Sequence, residues 1–239
     1  MMELSKKYIS LKSLAKYIKN ETSIGIGGHH FARLPIALIE EVLKNKPRNL
    51  EFISWSGGLA LELFLQKKSI NKIQLCFSSL DIFGLAPNFR KVCEENSIKV
   101  IDWSALGLIK ALRARQQNID SEIFQYPWGS DLPNKTKFCR KYLDPKTNRT
   151  FAMVPSLKIE NFLLHATRAD EDGNVEIQGP RALDTIMAGA SNNVLVTVDE
   201  IVSRRTLISE KKGSLISKNF ITAINHIPFG AYPTSSVPY

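Results

Sequence analysis

A glycine-rich segment near the start of the sequence has residues suited to binding an anionic or carbonyl oxygen. Residues 25–35 read GIGGHHFARLP and lie between an apolar run and an amphipathic stretch. Glycine lets backbone N–H groups approach an anion closely, and the N-terminus of a following helix adds a favourable dipole. We therefore expect Gly27, Gly28 and His29 to contact a phosphate, a carboxylate or a thioester oxygen. The requirements of a tight turn are the alternative explanation of the glycines.

A second segment, residues 54–64 (SWSGGLALELF), repeats this arrangement of small residues between an apolar run and a helical pattern. Ser56 can donate a hydrogen bond to an oxyanion, and Gly57 and Gly58 permit close approach of the backbone. The segment lacks the pattern of a nucleophile elbow, so we do not expect Ser56 to attack covalently. Capping of the next helix is its alternative role. Neither segment matches GxGxxG or a Walker loop, which weakens a nicotinamide or ATP function.

Adjacent histidines follow the first glycine pair. On an extended segment the side chains of His29 and His30 point in opposite directions, so we expect no metal site there. One imidazole can face the ligand as a hydrogen-bond donor or proton shuttle. The alternative is that both histidines are satisfied by ordinary surface or core contacts.

Asp102 follows an apolar run and precedes Trp103 and Ser104. A carboxylate at the end of a strand can act as an acid, a base or an orienting acceptor. We expect Trp103 to form a partly apolar wall that raises the pKa of Asp102. Helix capping by Asp102 or Ser104 is the alternative.

Short runs of β-branched and apolar residues alternate with longer amphipathic stretches, a pattern typical of βα units. We predict an α/β fold with an open, mostly parallel sheet and helices on both faces. Strands are predicted near residues 23–27, 50–54, 73–77, 99–102, 151–154, 162–166, 194–198 and 220–225. Helices are predicted at 35–44, 59–66, 88–96, 105–117 and 181–190. Residues 125–149 hold prolines and charges without periodicity, which predicts an irregular excursion at about 125–150.

Length and composition favour a single domain over residues 1–239, since 44% of the residues are hydrophobic. No apolar run reaches the length of a membrane span, and the N-terminus lacks a signal-peptide core, so we expect a cytoplasmic protein without membrane contact. Three widely spaced cysteines indicate neither disulfides nor a zinc site. The formal charge of +9 favours anionic partners, but the basic runs lack the interleaved aromatics expected of a nucleic-acid surface.

Residues 154–202 contain, in order, Pro155, HATRAD at 165–170, the Gly173–Asn174 turn and TVDEIV at 197–202. This combination resembles a segment of family I coenzyme A-transferase alpha subunits. Residues 25–43, 83–90 and 230–236 also resemble the family, so the similarity covers nearly the whole chain and is strongest to its glutaconate-transferase-like branch. Within the motifs we expect Arg168 and Asp170 to form an ion pair that fixes the turn, in a role of fold maintenance and subunit contact.

The resemblance implies a CoA-transferase/sugar-phosphate-isomerase-like fold and an active site shared with a beta-type subunit. In such enzymes a glutamate from the beta chain attacks the acyl-CoA thioester to give a mixed anhydride. The released CoA thiolate then forms an enzyme-CoA thioester, which an acceptor carboxylic acid consumes. Coenzyme A is thus a substrate, and no permanently bound cofactor is implied. The alpha chain binds part of the acyl-CoA and shapes the oxyanion environment.

The sequence departs from its relatives at two site positions. Trp55 and Ser56 replace two amides of a Ser-Asn-Asn-Ala-Gly motif, and Ile101 and Asp102 replace a Glu-Glu pair. These changes leave open a CoA-thioester hydrolase or ring-opening enzyme that uses Asp102. They also leave open a non-catalytic ligand-binding protein on the same fold.

Overall fold

A computed structural model describes residues 3–125 and 139–236 of the chain. The helices are α1 (Leu11–Ala15), α2 (Ile36–Lys44), α3 (Gly58–Gln66), α4 (Pro87–Glu95), α5 (Ala105–Gln116), α6 (Asp184–Ala190) and α7 (Arg204–Ser209), with a 3-10 turn at Asp81–Phe83. None of these helices has the length and apolar content that a membrane span requires.

The strands form two sheets. They are β1 (Ser23–Ile26), β2 (Leu50–Ile53), β3 (Ile70–Leu75), β4 (Lys99–Asp102), β5 (Ser121–Phe124), β6 (Arg140–Leu143), β7 (Thr150–Pro155), β8 (Ile159–Asp170), β9 (Val175–Ile177), β10 (Ser191–Val202), β11 (Ser214–Ile216) and β12 (Ala223–His226).

The central sheet is open and mostly parallel, as predicted. Its parallel strands lie in the order β4-β3-β2-β1-β8-β10-β12. The short strands β9 and β11 are antiparallel and extend the sheet beside the far end of β8. Because β1 to β4 run in the same direction, the loops that follow them lie at one edge, where ligands of open α/β sheets bind.

Helices cover both faces of this sheet, which confirms the predicted architecture. Successive residues of a strand face opposite sides, so Phe162 and Leu164 pack in one core and Leu163 in the other. The first core contains the buried faces of α5 and α6, whereas the second contains those of α1, α2 and α3. The helix predicted at 35–44 is present as α2, and its apolar residues are buried against the second face.

The region predicted to be irregular contains regular structure. Residues 126–138 lie outside the described residues, but β6 lies within the predicted excursion and pairs with β7. With β5 on its other side, β7 forms a separate three-stranded antiparallel sheet. The strand predicted at 151–154 therefore exists, but it does not join the parallel sheet.

The HATRAD motif fixes a turn through different partners from those expected. Arg168 does not pair with Asp170; its Nη2 lies 2.6 Å from Oε2 of the buried Glu176. Oδ1 of Asp170 instead accepts hydrogen bonds from the backbone N–H groups of Asp172, Gly173 and Asn174, at 3.1, 2.8 and 2.8 Å. Gly173 and Asn174 form the predicted turn, which reverses the chain from β8 into β9. The carboxylate of Asp170 stabilises this turn because it satisfies the backbone amides.

Candidate functional site

The loops after β1, β2 and β3 meet at the carboxyl edge of the central sheet. The imidazole of His29 lies 6.0 Å from the indole of Trp55, and that of His30 lies 5.3 Å from the ring of Phe77, between ring centroids. Gly58 also faces the backbone of His30, because a Cβ on this glycine would lie 3.7 Å from the carbonyl oxygen of His30. The two glycine segments therefore lie side by side.

Several N–H groups of the predicted ligand-binding residues are used inside the protein. The N–H of Gly27 donates to the carbonyl of Leu163 at 2.9 Å, and that of Gly28 donates to Oδ1 of Asp184 at 3.0 Å. The N–H of His29 donates to the carbonyl of Ala32 at 2.9 Å, and that of Gly57 donates to the carbonyl of Phe77 at 3.0 Å. These bonds hold the turns in their observed shape. Donors for a ligand must therefore come largely from neighbouring groups.

The turn at Gly57 and Gly58 provides such donors in the N–H groups of Gly58 and Leu59, since that of Gly57 is already bonded to Phe77. Gly57 has φ −68° and ψ −55°, in the right-handed region, whereas Gly58 has φ +48°, in the left-handed region. Successive residues of this alternating kind direct their N–H groups into a concavity that binds anions. Helix α3 begins at Gly58, so the N–H groups of Gly58 and Leu59 have no partner within the helix, and its dipole favours negative charge.

The adjacent histidines contact each other, contrary to the expectation that their rings diverge. Their ring centroids are 4.1 Å apart at an interplanar angle of 75°. The expectation assumed an extended backbone, but His30 has φ +51° and lies in a tight turn closed by hydrogen bonds between His29 and Ala32. Burial lowers the pKa of His29, and His30 lowers it further against an opposing effect of Asp81, so this imidazole is uncharged at neutral pH. That the pair holds no metal stays a prediction.

A buried ion pair, Arg33–Asp184, supports the first glycine turn, residues 27–33, from the protein interior. Arg33, which is fully buried, approaches Asp184 and also donates to the backbone carbonyls of His165 and Pro180. Burial raises the pKa of Asp184, while the guanidinium of Arg33 and the N–H of Gly28 oppose that rise. The ion pair thus connects the loop after β1 to the start of α6.

The C-terminal segment supports the same turn from another side. The N–H of Arg33 donates to the carbonyl of Ser235, and the N–H of Ser235 donates to the carbonyl of Phe31, both at 2.7 Å. The N–H of Leu34 donates to Oγ1 of Thr234 at 3.2 Å. These bonds give the GAYPTSS stretch at 230–236 a physical role in shaping the site.

Residues of the HATRAD and TVDEIV motifs anchor this segment rather than face the site. Oδ1 and Oδ2 of Asp199 accept hydrogen bonds from the N–H of Phe229 (2.7 Å) and from Oγ of Ser236 (2.9 Å). Nε2 of the fully buried His165 lies 3.1 Å from Oδ2 of Asp199, and its Nδ1 lies 2.9 Å from Oγ1 of Thr197. Both motifs therefore serve the fold.

Ser56 lies at the glycine turns, and the structure excludes its alternative role as the N-cap of α3. Gly57, not Ser56, is the N-cap residue of α3. Ser56 is half-buried and forms a β-bridge with Phe77, which places it between the second and third loops. A role as ligand donor stays a prediction.

Asp102 ends β4 at the same edge but further along the sheet. It is exposed, whereas Trp103 is buried in the core and donates from Nε1 to Oε1 of Gln74 at 2.8 Å, so the indole does not enclose the carboxylate as expected. Ser104 is the N-cap of α5, in agreement with the capping alternative. Burial and, to a smaller extent, Asp102 raise the pKa of the neighbouring Cys76 to about 12, so that thiol is a poor nucleophile.

The structure places three further residues at the candidate site that the sequence did not identify. Phe77 and Ser78 follow β3, and a Cβ on Gly57 would lie 2.5 Å from Oγ of Ser78. Asp184 is the third. The third strand was predicted to extend to residue 77, but β3 ends at Leu75, so the sequence did not indicate that Phe77 and Ser78 lie in a loop. Asp184 could not be identified because its partners, Gly28 and Arg33, lie about 150 positions earlier in the chain.

Comparisons with known proteins agree with this architecture. A protein of Archaeoglobus fulgidus is 23% identical over 234 residues, which are 97% of this chain but 52% of that protein, so the chain spans about half the length of that relative. A 3-oxoadipate CoA-transferase subunit of Pseudomonas knackmussii is 22% identical over 95% of this chain and 81% of its own length. The cholesterol ring-cleaving hydrolase IpdA subunit of Rhodococcus jostii is 24% identical over 98% and 82%.

Solved structures share the fold. A variant of the decarboxylase AibA/AibB matches with a TM-score of 0.87 and 25% identity, over 97% of this chain and 86% of that one. Glutaconate coenzyme A-transferase from Acidaminococcus fermentans matches with a TM-score of 0.86 and 22% identity, over 97% and 78%. The coenzyme A transferase family model matches residues 8–219. The chain therefore belongs to the coenzyme A transferase family, as its motifs predicted.

Proposed function

We propose that this chain is the alpha-type component of a two-subunit coenzyme A-transferase that moves CoA between an acyl-CoA thioester and a carboxylic acid. The observation that carries the proposal is the Gly57–Gly58 pair at the start of α3, beside the first glycine turn. The relatives named as CoA-transferase subunits support the same assignment. The three free thiols support a reducing, cytoplasmic location.

The chemistry assigns different tasks to the two subunits. A glutamate carboxylate of the partner attacks the thioester carbon, and the electron pair of the broken bond leaves with the CoA thiolate. The thiolate then attacks the glutamyl carbonyl of the mixed anhydride, which releases the acyl group as a carboxylate. Each addition places negative charge on a carbonyl oxygen, and the N–H groups of Gly58 and Leu59 are suited to stabilise it. Ser56 is placed to add a hydroxyl donor.

Exposed apolar side chains beside the site support the requirement for a partner. Ile82, Phe83 and Leu85 follow β3 and are 87%, 71% and 67% exposed. The ring of Phe83 lies 5.4 Å from that of Phe31 in the first glycine loop, between centroids, so this apolar surface adjoins the site. A second subunit that covers it would remove apolar area from water and exclude water from the thioester.

The test compares the purified chain, the purified partner and their complex in transfer of CoA from acetoacetyl-CoA, glutaryl-CoA or butyryl-CoA to acetate. We expect turnover by the complex alone, together with a mass increase of one CoA less one water on a glutamate of the partner, as in a glutamyl-CoA thioester. Robust transfer by the isolated chain would contradict the divided site. A complex that binds these thioesters without consuming them would instead favour the non-catalytic alternative.

The second candidate is a CoA-thioester hydrolase or ring-opening enzyme of the same family. It is favoured by the exposed carboxylate of Asp102 at the site edge and by the similarity to a ring-cleaving hydrolase. Replacing Asp102 with Asn in the complex separates the two functions when hydrolysis and transfer are assayed side by side. A loss of hydrolysis with transfer preserved identifies Asp102 as a hydrolytic group, whereas equal effects on both reactions exclude that assignment.

A further inference from the structure

Besides Nε of the fully buried Arg33, three buried polar atoms at the candidate site have no hydrogen-bond partner among the described residues. They are Nδ1 of His29, Nδ1 of His30 and Oγ of Ser78. Buried polar groups are almost always satisfied by protein, water or ligand, because an unpaired one keeps the cost of leaving water. Three such atoms at one edge of one sheet indicate a place that a polar group occupies.

The three atoms belong to neighbouring loops that converge. The imidazoles of His29 and His30 are in contact, and the ring of Phe77, which precedes Ser78, lies beside His30. Ser78 in turn lies against Gly57, because its Oγ occupies the space that a Cβ on that glycine would need. The cluster therefore borders the Gly57–Gly58 turn.

The backbone beneath the histidines is held in an unfavourable conformation. A φ of +51° is uncommon for a residue other than glycine, and such strain concentrates at ligand sites where the surroundings maintain it. The paired hydrogen bonds between His29 and Ala32, together with the bonds from 234–235 to the same loop, supply that support. The turn thus holds the two imidazoles in edge-to-face contact.

The chemistry of the cluster indicates its ligand. An imidazole Nδ1 and a serine hydroxyl can each donate or accept a hydrogen bond, so they suit a hydroxyl, keto or carboxyl oxygen. Trp55 and Phe77 supply flat apolar surfaces next to them. On the basis of the proposed transferase function, we propose that His29, His30 and Ser78 form the acyl-group subsite and hydrogen-bond an oxygen substituent on the acyl chain.

The test measures kcat/KM of the two-subunit complex for butyryl-CoA, 3-hydroxybutyryl-CoA and glutaryl-CoA. The wild-type complex should favour an oxygenated acyl group over butyryl-CoA, and the hydroxyl and carboxyl substrates show which oxygen is preferred. His30→Phe should reduce that preference about tenfold or more, the size expected for loss of a well-placed hydrogen bond. His30→Asn, whose amide nitrogen can reach the Nδ1 position, should retain more of it than His30→Gln.

Ser79 offers a matched control for Ser78, because its Oγ already accepts a hydrogen bond from the N–H of Asp81 at 3.3 Å. Ser78→Ala should lower the preference for the oxygenated substrates, and Ser79→Ala should not. A wild-type complex that uses butyryl-CoA as well as the oxygenated substrates would overturn the inference. Equal preference ratios in His30→Phe and wild type would overturn it as well.

A binding measurement separates this inference from the proposed function. The chain has four histidines, so ring resonances of the histidine-labelled chain in the complex can be assigned by single substitutions. A CoA thioether with a 3-hydroxybutyl chain should shift the His29 and His30 resonances and leave that of the buried His165 in place. If the His29 and His30 resonances shift in a complex that catalyses no CoA transfer, the proposed transferase function is wrong and the subsite stands. If the complex catalyses CoA transfer but these resonances do not shift, the proposed subsite is wrong and the transferase function stands.

Discussion

Nη2 of Arg33 lies 2.7 Å from Oδ2 of Asp184, and neither side chain exposes more than 1% of its surface. The same carboxylate accepts the N–H of Gly28 through its other oxygen at 3.0 Å. One aspartate therefore holds both the guanidinium below the first glycine turn and the backbone of the turn itself. Loss of either group should disturb stability and the site together.

Asp184→Ala should lower the free energy of unfolding by about 3–5 kcal/mol, because it leaves the Arg33 guanidinium buried without its anion. Urea denaturation of Arg33→Met, of Asp184→Leu and of the Arg33→Met/Asp184→Leu double variant measures the coupling free energy between the two side chains. The double variant should recover part of the loss, since it buries no uncompensated charge. Single variants as stable as wild type would contradict the assigned role of the pair.

Gly28→Ala should destabilise the chain and reduce binding of acyl-CoA by the complex. Gly28 has φ +83°, and a Cβ there would lie 2.6 Å from the carbonyl oxygens of Ala32 and Arg33, which are backbone atoms that cannot rotate away. Gly84→Ala is the control, because φ is +91° but no atom lies within 4 Å of the added Cβ. The control should lose about 1–3 kcal/mol from backbone strain, and Gly28→Ala should lose more. Thermal melts and acyl-CoA titrations compare the two.

Glu62→Ala should destabilise the chain through α4 rather than through α3, to which the residue belongs. Oε2 of Glu62 accepts the N–H and Nδ2 of Asn88, both at 2.9 Å, and its Oε1 accepts the N–H of Phe89 at 2.8 Å. Ala86, the N-cap of α4, supplies no side-chain cap, so the expected cost is that of a lost cap, about 0.5–2 kcal/mol.

Glu94→Gln is the matched control for Glu62, because the ion pair that Glu94 makes among the described residues, with Arg90 on the same helix, is exposed. Exposed pairs contribute little, so this variant should unfold at nearly the same denaturant concentration as wild type. Hydrogen exchange of the α4 amides provides a second readout. Faster exchange in Glu62→Ala, but not in Glu94→Gln, is the expected pattern.

Stability should fall in acid partly through Asp199. Burial opposes ionisation of this carboxyl, but the hydrogen bonds and charge of His165, with those from Ser236 and Phe229, outweigh it and lower the pKa of Asp199. A carboxyl with a lowered pKa contributes stability above its unfolded pKa and loses it as the pH falls through the folded pKa. Asp199→Asn should therefore flatten the pH dependence of unfolding in the acid range, and at neutral pH it should lose about 1.5–3 kcal/mol. An unchanged acid transition would contradict this assignment.

The sequence predicted the sheet and its helices well because those elements depend on local patterns. Pro35 and the apolar residues after it determine α2, and glycines mark the turns after β1 and β2. The family motifs added the correct fold class. The second sheet was missed because β6 (Arg140–Leu143) is exposed throughout and thus lacks an alternation between buried and exposed residues.

The details of the site were less predictable because they depend on pairings between distant residues. Nothing near Asp184 indicates that its partners are Gly28 and Arg33, and nothing near Arg168 indicates Glu176 rather than Asp170. The positive φ of His30 reversed the expected directions of the two rings, and that conformation depends on hydrogen bonds closed by Ala32. Only a folded chain reveals such arrangements.

The bonds between residues 31–34 and 234–235 also bear on the order in which the molecule forms. The N–H of Leu34 donates to the hydroxyl of Thr234, 200 positions later, so the loop after β1 cannot complete its hydrogen bonds until Thr234 has been translated. Contacts of such separation form late and slowly. A nascent chain that has not reached residues 234–235 would therefore have little affinity for thioesters, and the capacity to recognise them would arise only after those residues are translated.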